Sequence, residues 1–383
     1  MHAERPSGLM VFLEDLPDPR AHNTVHRLTD IVALAIIAVL ADCDSWVDVA
    51  DFCQAHEAML RRHLPLPGGI PSHDTFDRLF ERLDPVAFER VFQAFCQSLG
   101  GEPGPAAEPG PTPGSLHLAI DGKTARRSFA SAAEANPVHM VTAFAVGQKL
   151  VFGQLATDQK SNEVTAIPEL LGMLDLQDAV VSVDAGGCQR EIARVIREGG
   201  GDYLLQVKKN QPTLLRMAEE GFDEFKPASR SFAPAESGHG RTELRSLETI
   251  DAVAAGVDPK RWPDARTLIR LRAVRDLDGE ISGQDRYYVT SLAGDDAAGL
   301  LALCRDHWKV ENQLHWCLDV GYREDGCRVR KGHGAQNLNR VREIGMNLLR
   351  SVQPPKKNMS LRRRRKACVY DEAYLLRVLM MQP

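Results

Sequence analysis

The sequence lacks the features that usually identify membrane, secreted and zinc-knuckle proteins. Its longest apolar run, residues 31–41, has eleven residues, about half of the roughly 20 that a membrane-spanning helix needs. No basic segment followed by an apolar stretch and a small-residue cleavage site opens the chain, so no secretory signal is expected. The eight cysteines form no C-x-x-C pair, which argues against structural zinc and suits a reducing compartment. We therefore expect a cytoplasmic protein without a membrane partner.

An excess of positive charge is also missing. Lys and Arg number 47 against 52 Asp and Glu, a formal net charge of -5, and this total argues against a general nucleic-acid coat protein. The distribution is uneven, because residues 356–366 (KKNMSLRRRRK) carry seven positive charges and no negative one. Such a run is either a solvated tail or a segment that binds a polyanion.

Glycine and proline are concentrated in one segment. Residues 100–114 (GGEPGPAAEPGPTPG) contain five of each, and such a stretch sustains neither a helix nor a strand ladder. We interpret it as a linker. Residues 1–99 before it have helical apolar spacing, which predicts a small all-α domain. Its short helices fit a helix-turn-helix DNA reader or a bundle packed on the next domain. The bundle is favoured, since no helix is rich in Arg, Asn or Gln.

The residues after the linker change from helical to strand-like patterns. β-rich segments come first, and then strands and helices alternate, which predicts a mixed α/β sheet covered by helices over residues 115–352. A second β-rich group, at about 238–292, predicts a β insertion within this domain. Residues 353–383 are expected to form a basic tail with one short helix.

Two aspartates each follow an apolar strand. Asp121 closes the segment SLHLAID, and Asp184 closes AVVSVD. A single Asp in this place is usually a turn former or a helix cap. Two of them at the carboxyl ends of neighbouring strands would share one crevice, where like charges need a cation between them. Mg²⁺, with Mn²⁺ as an alternative, is the ion that such oxygen ligands suit.

A third acid is available on the helix predicted over residues 300–319. His307, Glu311 and His315 are spaced by four, so they share one helical face. The plain alternatives are a surface glutamate and an amphipathic histidine stripe. A zinc site is a further alternative, although no H-E-x-x-H motif occurs. Glu324 and Asp325 compete with Glu311 for the role of third acid, but a helix holds a metal ligand more rigidly than a turn does.

Longer stretches give the sequence a specific resemblance. They are LAIDGKTAR, KSNEVTAIPELL, VVSVDAGGCQREIA, DYLLQVKKNQPTL and HWKVENQLHWCLDVGYREDG. Together they resemble DDE transposases of bacterial insertion sequences, in the ISAs-type group that includes the H-repeat-associated proteins. The resemblance covers nearly the whole chain. One departure is Gly186, where the family pattern has Met or another larger residue.

The resemblance implies a ribonuclease H-like catalytic domain interrupted by a β insertion. It makes Asp121 and Asp184 the first and second acids and Glu311 the third, together holding two Mg²⁺ ions. In the helix around Glu311, His307 stands where the signature of related transposases has Arg, and Leu318 stands where it has Lys. The implied activity is cleavage of the element's DNA ends and transfer of the 3′-hydroxyl to a target strand.

The expected partner is double-stranded DNA, held at two ends by a homodimer. Alternatives are a metal-dependent nuclease without strand transfer, or a decayed remnant that only binds DNA. Cations that could contact phosphate occur in four groups, and ordinary surface charge is the competing interpretation. These residues are Lys123, Arg126 and Arg127; His239, Arg241 and Arg245; Arg328, Arg330 and Lys331; and Arg362, Arg363, Arg364 and Arg365.

Overall fold

A computed structural model of the chain describes residues 8–21, 24–99, 116–125, 128, 137–157, 163–238 and 241–381. The expected linker at 100–114 lies outside the described residues, as do three of the predicted DNA-contacting residues, Arg126, Arg127 and His239.

The part before the linker is helical. Its helices are α1 (Gly8–Leu13), α2 (Leu28–Leu40), α3 (Trp46–Ala55), α4 (Glu57–Leu60), α5 (His73–Arg82) and α6 (Pro85–Leu99). All residues of α2 except Thr29 are buried, as expected of a helix that is apolar on every side. Ser45 begins α3 with a capping box completed by Asp48, which satisfies two otherwise unpaired backbone N–H groups.

The second part is built on one mixed sheet, as the sequence predicts. Its strands are β1 (His117–Thr124), β2 (His139–Ala145), β3 (Leu150–Thr157), β4 (Val180–Val183), β5 (Asp202–Val207), β6 (Ser229–Phe232), β7 (Glu236–Gly238), β8 (Arg241–Asp251), β9 (Thr267–Leu277) and β10 (Glu280–Thr290). Their order is β3-β2-β1-β4-β5-β10-β9-β8-β6, and β7 pairs with β8. Strands β1, β4 and β5 are parallel neighbours, whereas the other pairings are antiparallel. The β-rich residues 229–290 therefore extend the central sheet through β10.

Helices cover both faces of this sheet. They are α7 (Glu163–Gly172), α8 (Arg190–Glu198), α9 (Pro212–Glu224), α10 (Ala297–His307), α11 (Gly334–Ser351), α12 (Leu361–Tyr370) and α13 (Glu372–Leu379). Side chains of α7 and α8 pack with Leu118 and Ile120 of β1 on one face. On the other face, α11 joins Ala119, Phe144 and the helices of residues 8–99 in a continuous core.

Helix α11 connects the N-terminal helices with the sheet. Its Asn337 donates hydrogen bonds to the carbonyl oxygens of Phe80 and Leu83 at 2.8 and 2.9 Å. Its Asn347 donates to the Val151 carbonyl of β3 at 2.8 Å. The N-terminal helices thus pack directly against the second part of the chain. Within the described part of the chain, no helix has both the length and the apolarity to cross a membrane.

Candidate active site

The pairing of β1 with β4 brings the two aspartates together. Ile120 lies opposite Val183 in the parallel register, so Asp121 and Asp184 occupy the next positions at the same edge of the sheet. The Gly122 N–H donates to Asp121 Oδ1 at 2.9 Å, and the Gly187 N–H donates to Asp184 Oδ1 at 3.3 Å. The carboxyl ends of parallel strands are where ligands bind in open α/β sheets.

Glu311 reaches this edge from a π-helical turn, Glu311–His315, that follows the end of α10. Such turns occur frequently at functional sites. The turn places His315 Nδ1 3.1 Å from Glu311 Oε2 and 3.6 Å from Asp121 Oδ2. One ligand atom from each of Asp121, Glu311 and His315 lies within 4.8 Å of the others. Among the residues that the structure describes, Asp184 stands beside this group and does not belong to it.

The electrostatics of Asp121 fit a cation site. Burial raises the pKa of Asp121 to about 6, and the negative charges of Asp184 and Glu311 act in the same direction. The positive potential of His315 and the hydrogen bond from Gly122 oppose this rise. A cation placed among these oxygens would offset the repulsion between the carboxylates and lower the pKa of Asp121. The carboxylate set therefore suits a hard divalent ion.

A buried hydrogen-bond chain fixes the end of α10 against the sheet. The Ser182 hydroxyl of β4 lies 2.8 Å from His117 Nε2 of β1 and 2.8 Å from His307 Nδ1 of α10. Burial lowers the pKa of His117 to about 3 and that of His307 to about 4, so both rings are neutral. His307, four residues before Glu311, thus anchors the helix internally.

Glu163, the first residue of α7, is an acid of this region that sequence reasoning did not identify. A Cβ atom at Gly186 would lie 3.1 Å from Asp184 Oδ1 and 3.5 Å from Glu163 Oε2, so both carboxylates approach the same backbone. Glu163 pairs with buried His139, whose Nδ1 lies 2.8 Å from the Thr124 hydroxyl. The crowding also explains why glycine suits position 186. The only sequence signal was the position of Glu163 inside the stretch KSNEVTAIPELL.

The structure corrects the prediction for Lys123. The sequence predicts that it contacts DNA, but its side chain is 13% exposed and its ammonium is enclosed by Asp319 and Glu324. The Glu324 side chain is only 4% exposed. Lys123 therefore binds the segment that follows the π-helical turn to β1. Glu324, the competing third acid, is the partner of this lysine.

We expect Lys123→Met to lower the free energy of unfolding by about 3 kcal/mol, because it leaves buried Glu324 without its counter-charge. Chemical denaturation measures this loss. Lys356→Met, which changes an exposed lysine, is the matched control and is expected to have little effect. If Lys123→Met left stability unchanged and weakened DNA binding, the result would support the prediction from sequence that Lys123 contacts DNA.

Two arginines of the terminal basic run also require correction. Arg365 is 0% exposed, and its guanidinium donates to the carbonyl oxygens of Val39 and Cys43 at 2.9 and 3.1 Å and to Asp44 Oδ1 at 2.9 Å. Arg364 donates to the Leu349 carbonyl at 2.6 Å. Both side chains hold α12 to the core, so neither is expected to contact DNA.

The remaining predicted cations differ in how far neighbouring carboxylates neutralise their charge. Arg245 is half-buried and pairs with Glu236 and Glu243 at 2.7 and 2.9 Å, so its charge is largely neutralised within the sheet. Arg241 is 53% exposed and lies 3.8 Å from Glu243. The others are exposed at the surface: Arg328, Arg330, Lys331, Arg362 and Arg363.

Two family models, several known proteins and a solved structure are similar to this chain. A family model described as DDE_Tnp_1-associated matches residues 10–96, and the model of the Transposase DDE domain matches residues 112–344. The Escherichia coli K12 protein "Putative protein YbfL" is 36% identical, with 97% of each chain covered. The "H repeat-associated putative transposase YhhI" of the same strain is 35% identical, again with 97% of each chain covered. A solved piggyBac transposase synaptic complex with hairpin DNA aligns with a TM-score of 0.42 and 10% identity, covering 96% of this chain and 78% of that one.

Proposed function

We propose, from the premise that this chain belongs to the bacterial DDE transposase family, that it cleaves the ends of its own insertion-sequence DNA and joins the 3′-hydroxyl to a target strand. The family models and the relatives matched along 97% of the chain confirm the resemblance read from the sequence. The observation that carries the proposal is the meeting of Asp121 and Glu311 beside Asp184 at one sheet edge.

Asp121, Asp184 and Glu311 would hold the divalent ions, which we assign as two Mg²⁺, with Mn²⁺ as the alternative. Ions bound there supply an activated water or 3′-hydroxyl and stabilise the leaving oxygen. The protein's own contribution is positioning, because phosphoryl transfer requires little covalent help from side chains. His315 Nδ1 lies within 3.6 Å of both Asp121 and Glu311, and it would orient these two carboxylates.

The strand order supports a finer assignment of the fold. We assign β3-β2-β1-β4-β5 with α10 and α11 to a ribonuclease H-like core over residues 115–352, in which the strands from β6 to β10 form the insertion. Residues 1–99 would be an associated helical domain, joined through the linker 100–114. Residues 353–383 would form a basic segment that contains α12 and α13, which pack on the core.

DNA contact is assigned to the exposed cations. Arg241, Arg328, Arg330, Lys331, Arg362 and Arg363 are the candidates that the structure leaves at the surface. Arg126, Arg127 and His239 stay predictions from the sequence. Since two element ends must be brought together, we expect a homodimer on DNA.

The test uses duplexes that carry the terminal repeats bounding this chain's own element, incubated with purified protein, Mg²⁺ and a target plasmid. The proposal expects cuts at the element ends and covalently joined products. Cuts without joined products would support the nuclease alternative. Binding without cuts in either Mg²⁺ or Mn²⁺ would indicate a decayed remnant.

We expect the double substitution Arg362→Ala, Arg363→Ala to weaken DNA binding and to flatten its salt dependence. Each phosphate contact contributes about -0.9 to the slope of log K against log salt, so losing two reduces the slope by about 1.8. Binding titrations across a salt series measure this slope. Lys226→Ala with Lys260→Ala removes the same charge elsewhere on the surface; an equal change in that control would show a non-specific charge effect.

A further inference from the structure

A cleft of about 700 Å³ opens beside the active site. Four segments line it: the loop after β4, the end of β5 with the turn that follows, helix α9, and the part of β10 that continues past the end of β5. The residues that matter for the argument are Gly186, Lys208, Lys209, Asp285 and Arg286. Its size falls within the roughly 300–1,000 Å³ typical of ligand sites.

The cleft adjoins the loop that directly follows Asp184. Gly186 lines it, and a Cβ atom there would lie 3.1 Å from Asp184 Oδ1. A group bound in the cleft would therefore lie next to Asp184. Gly186 places no side-chain atom beside the Asp184 carboxylate, whereas any other residue would place its Cβ atom there.

The charge of the cleft is positive, in contrast to the formal net charge of -5 for the whole chain. Lys208 and Lys209 are exposed, and neither forms an ion pair with any residue that the structure describes. Arg286 lies 5.3 Å from the Trp308 ring centroid. Of the two acids in the lining, Glu219 and Asp285, the second is neutralised by Arg272 at 2.8 and 2.7 Å.

The turn that carries the lysines is fixed to the loop that follows Asp184. Asn210 Nδ2 donates to the Ala185 carbonyl at 2.7 Å, and Gln211 Nε2 donates to the Cys188 carbonyl at 2.9 Å. Helix α9 begins directly afterwards, at Pro212. The turn that carries Lys208 and Lys209 is consequently held at a defined place relative to the second acid.

We propose that this cleft binds the DNA backbone next to the scissile phosphate, with Lys208 and Lys209 contacting the flanking phosphates. The inference rests on the proposed function, since it takes the reacting phosphodiester to lie at Asp121 and Asp184. A strand that passes this edge would reach the cleft along the loop after β4, whose Ala185 and Gly186 line it. Lysine serves as a point-charge partner of phosphate, and phosphate contacts fix the register of a nucleic acid without reading its sequence.

The experiment pairs a protein change with a DNA change. After the wild-type cut position is mapped, duplexes are made with a neutral methylphosphonate at each phosphate within two nucleotides of the cut. Binding is measured without Mg²⁺, so that chemistry plays no part. We expect one or two positions to lower wild-type affinity about tenfold, the scale of a charge-assisted contact. Lys208→Ala with Lys209→Ala should lose that affinity on unmodified DNA and lose nothing further on modified DNA.

The exposed pair Lys226→Ala, Lys260→Ala, which does not line the cleft, should keep the full sensitivity to methylphosphonate. An additional tenfold loss in the cleft variant on modified DNA would overturn the proposal. If the wild-type chain never cuts its element's ends, the proposed function fails separately. The cleft is then judged by the salt slope on plain duplex, where a reduction of about 1.8 supports it and an unchanged slope overturns it.

Discussion

Asp121→Asn and Asp184→Asn are each expected to abolish Mg²⁺-dependent cleavage while leaving end-DNA binding nearly unchanged. The amide keeps the shape of the side chain but removes the charge that holds a hard cation. Losing several kcal/mol of transition-state stabilisation corresponds to a rate loss on the order of a thousandfold or more. Cleavage assays and binding titrations on the same duplex measure the two effects separately. Near wild-type cutting by either variant would refute the metal-site assignment.

Glu311→Gln is expected to be as inactive as the aspartate variants. Glu324→Gln and Asp325→Asn should retain measurable cutting, because Glu324 is a buried partner of Lys123 and its loss acts on stability. A carboxylate oxygen of Glu311 instead lies within 4.8 Å of ligand atoms of Asp121 and His315. Normal cleavage by Glu311→Gln, with a dead Glu324→Gln, would transfer the role of third acid to the turn.

The approach of the two aspartates could be predicted because its signals are local. Each lies at the end of a short apolar segment, and strands of that kind sit side by side in a mixed sheet. The residues at which the strands end were harder to predict from the sequence. The sequence predicts that Asp121 closes its strand, yet β1 continues to Thr124, which pairs with His139 of β2. A partner strand decides where a ladder stops, and that partner is distant in sequence.

The segment around Glu311 shows another limit of pattern reading. Apolar spacing predicts one helix over residues 300–319, whereas α10 ends at His307 and two π-helical turns follow, Glu311–His315 and Cys317–Gly321. The widened turns rotate successive side chains differently from a regular helix. Hydrophobic periodicity averages over such a change. It therefore predicts that a helix is present, but not the direction in which the Glu311 side chain points.

Charged residues were the least predictable part of the site. Lys123 meets Asp319 and Glu324 across 196 and 201 residues of sequence, and Glu163 stands beside Asp184 only after folding. A run of basic residues also looks the same whether its members face solvent or the core. Burial of a paired charge depends on long-range geometry, which neither composition nor spacing records.

Arg365→Met is expected to lower the free energy of unfolding by on the order of 3–5 kcal/mol, or to prevent folding at ordinary temperatures. The substitution keeps an apolar stem but removes the buried cation that lies 3.3 and 2.9 Å from Asp42 and Asp44. Among the described residues, the exposed Arg323 is then the remaining counter-charge of these two carboxylates. It also removes the donors to the carbonyl groups of Val39 and Cys43. Denaturant unfolding and the soluble yield of the expressed chain measure the effect.

Arg363→Met is the matched control, since it lies two residues earlier in α12 with its side chain exposed. It should change stability by less than about 0.5 kcal/mol while reducing the salt slope of DNA binding by about 0.9. The two arginines thus separate the two interpretations of the basic run, one residue acting on folding and the other on DNA. If Arg365→Met were as stable as Arg363→Met and lost DNA affinity instead, Arg365 would face the nucleic acid, and α12 would have to pack differently against α2.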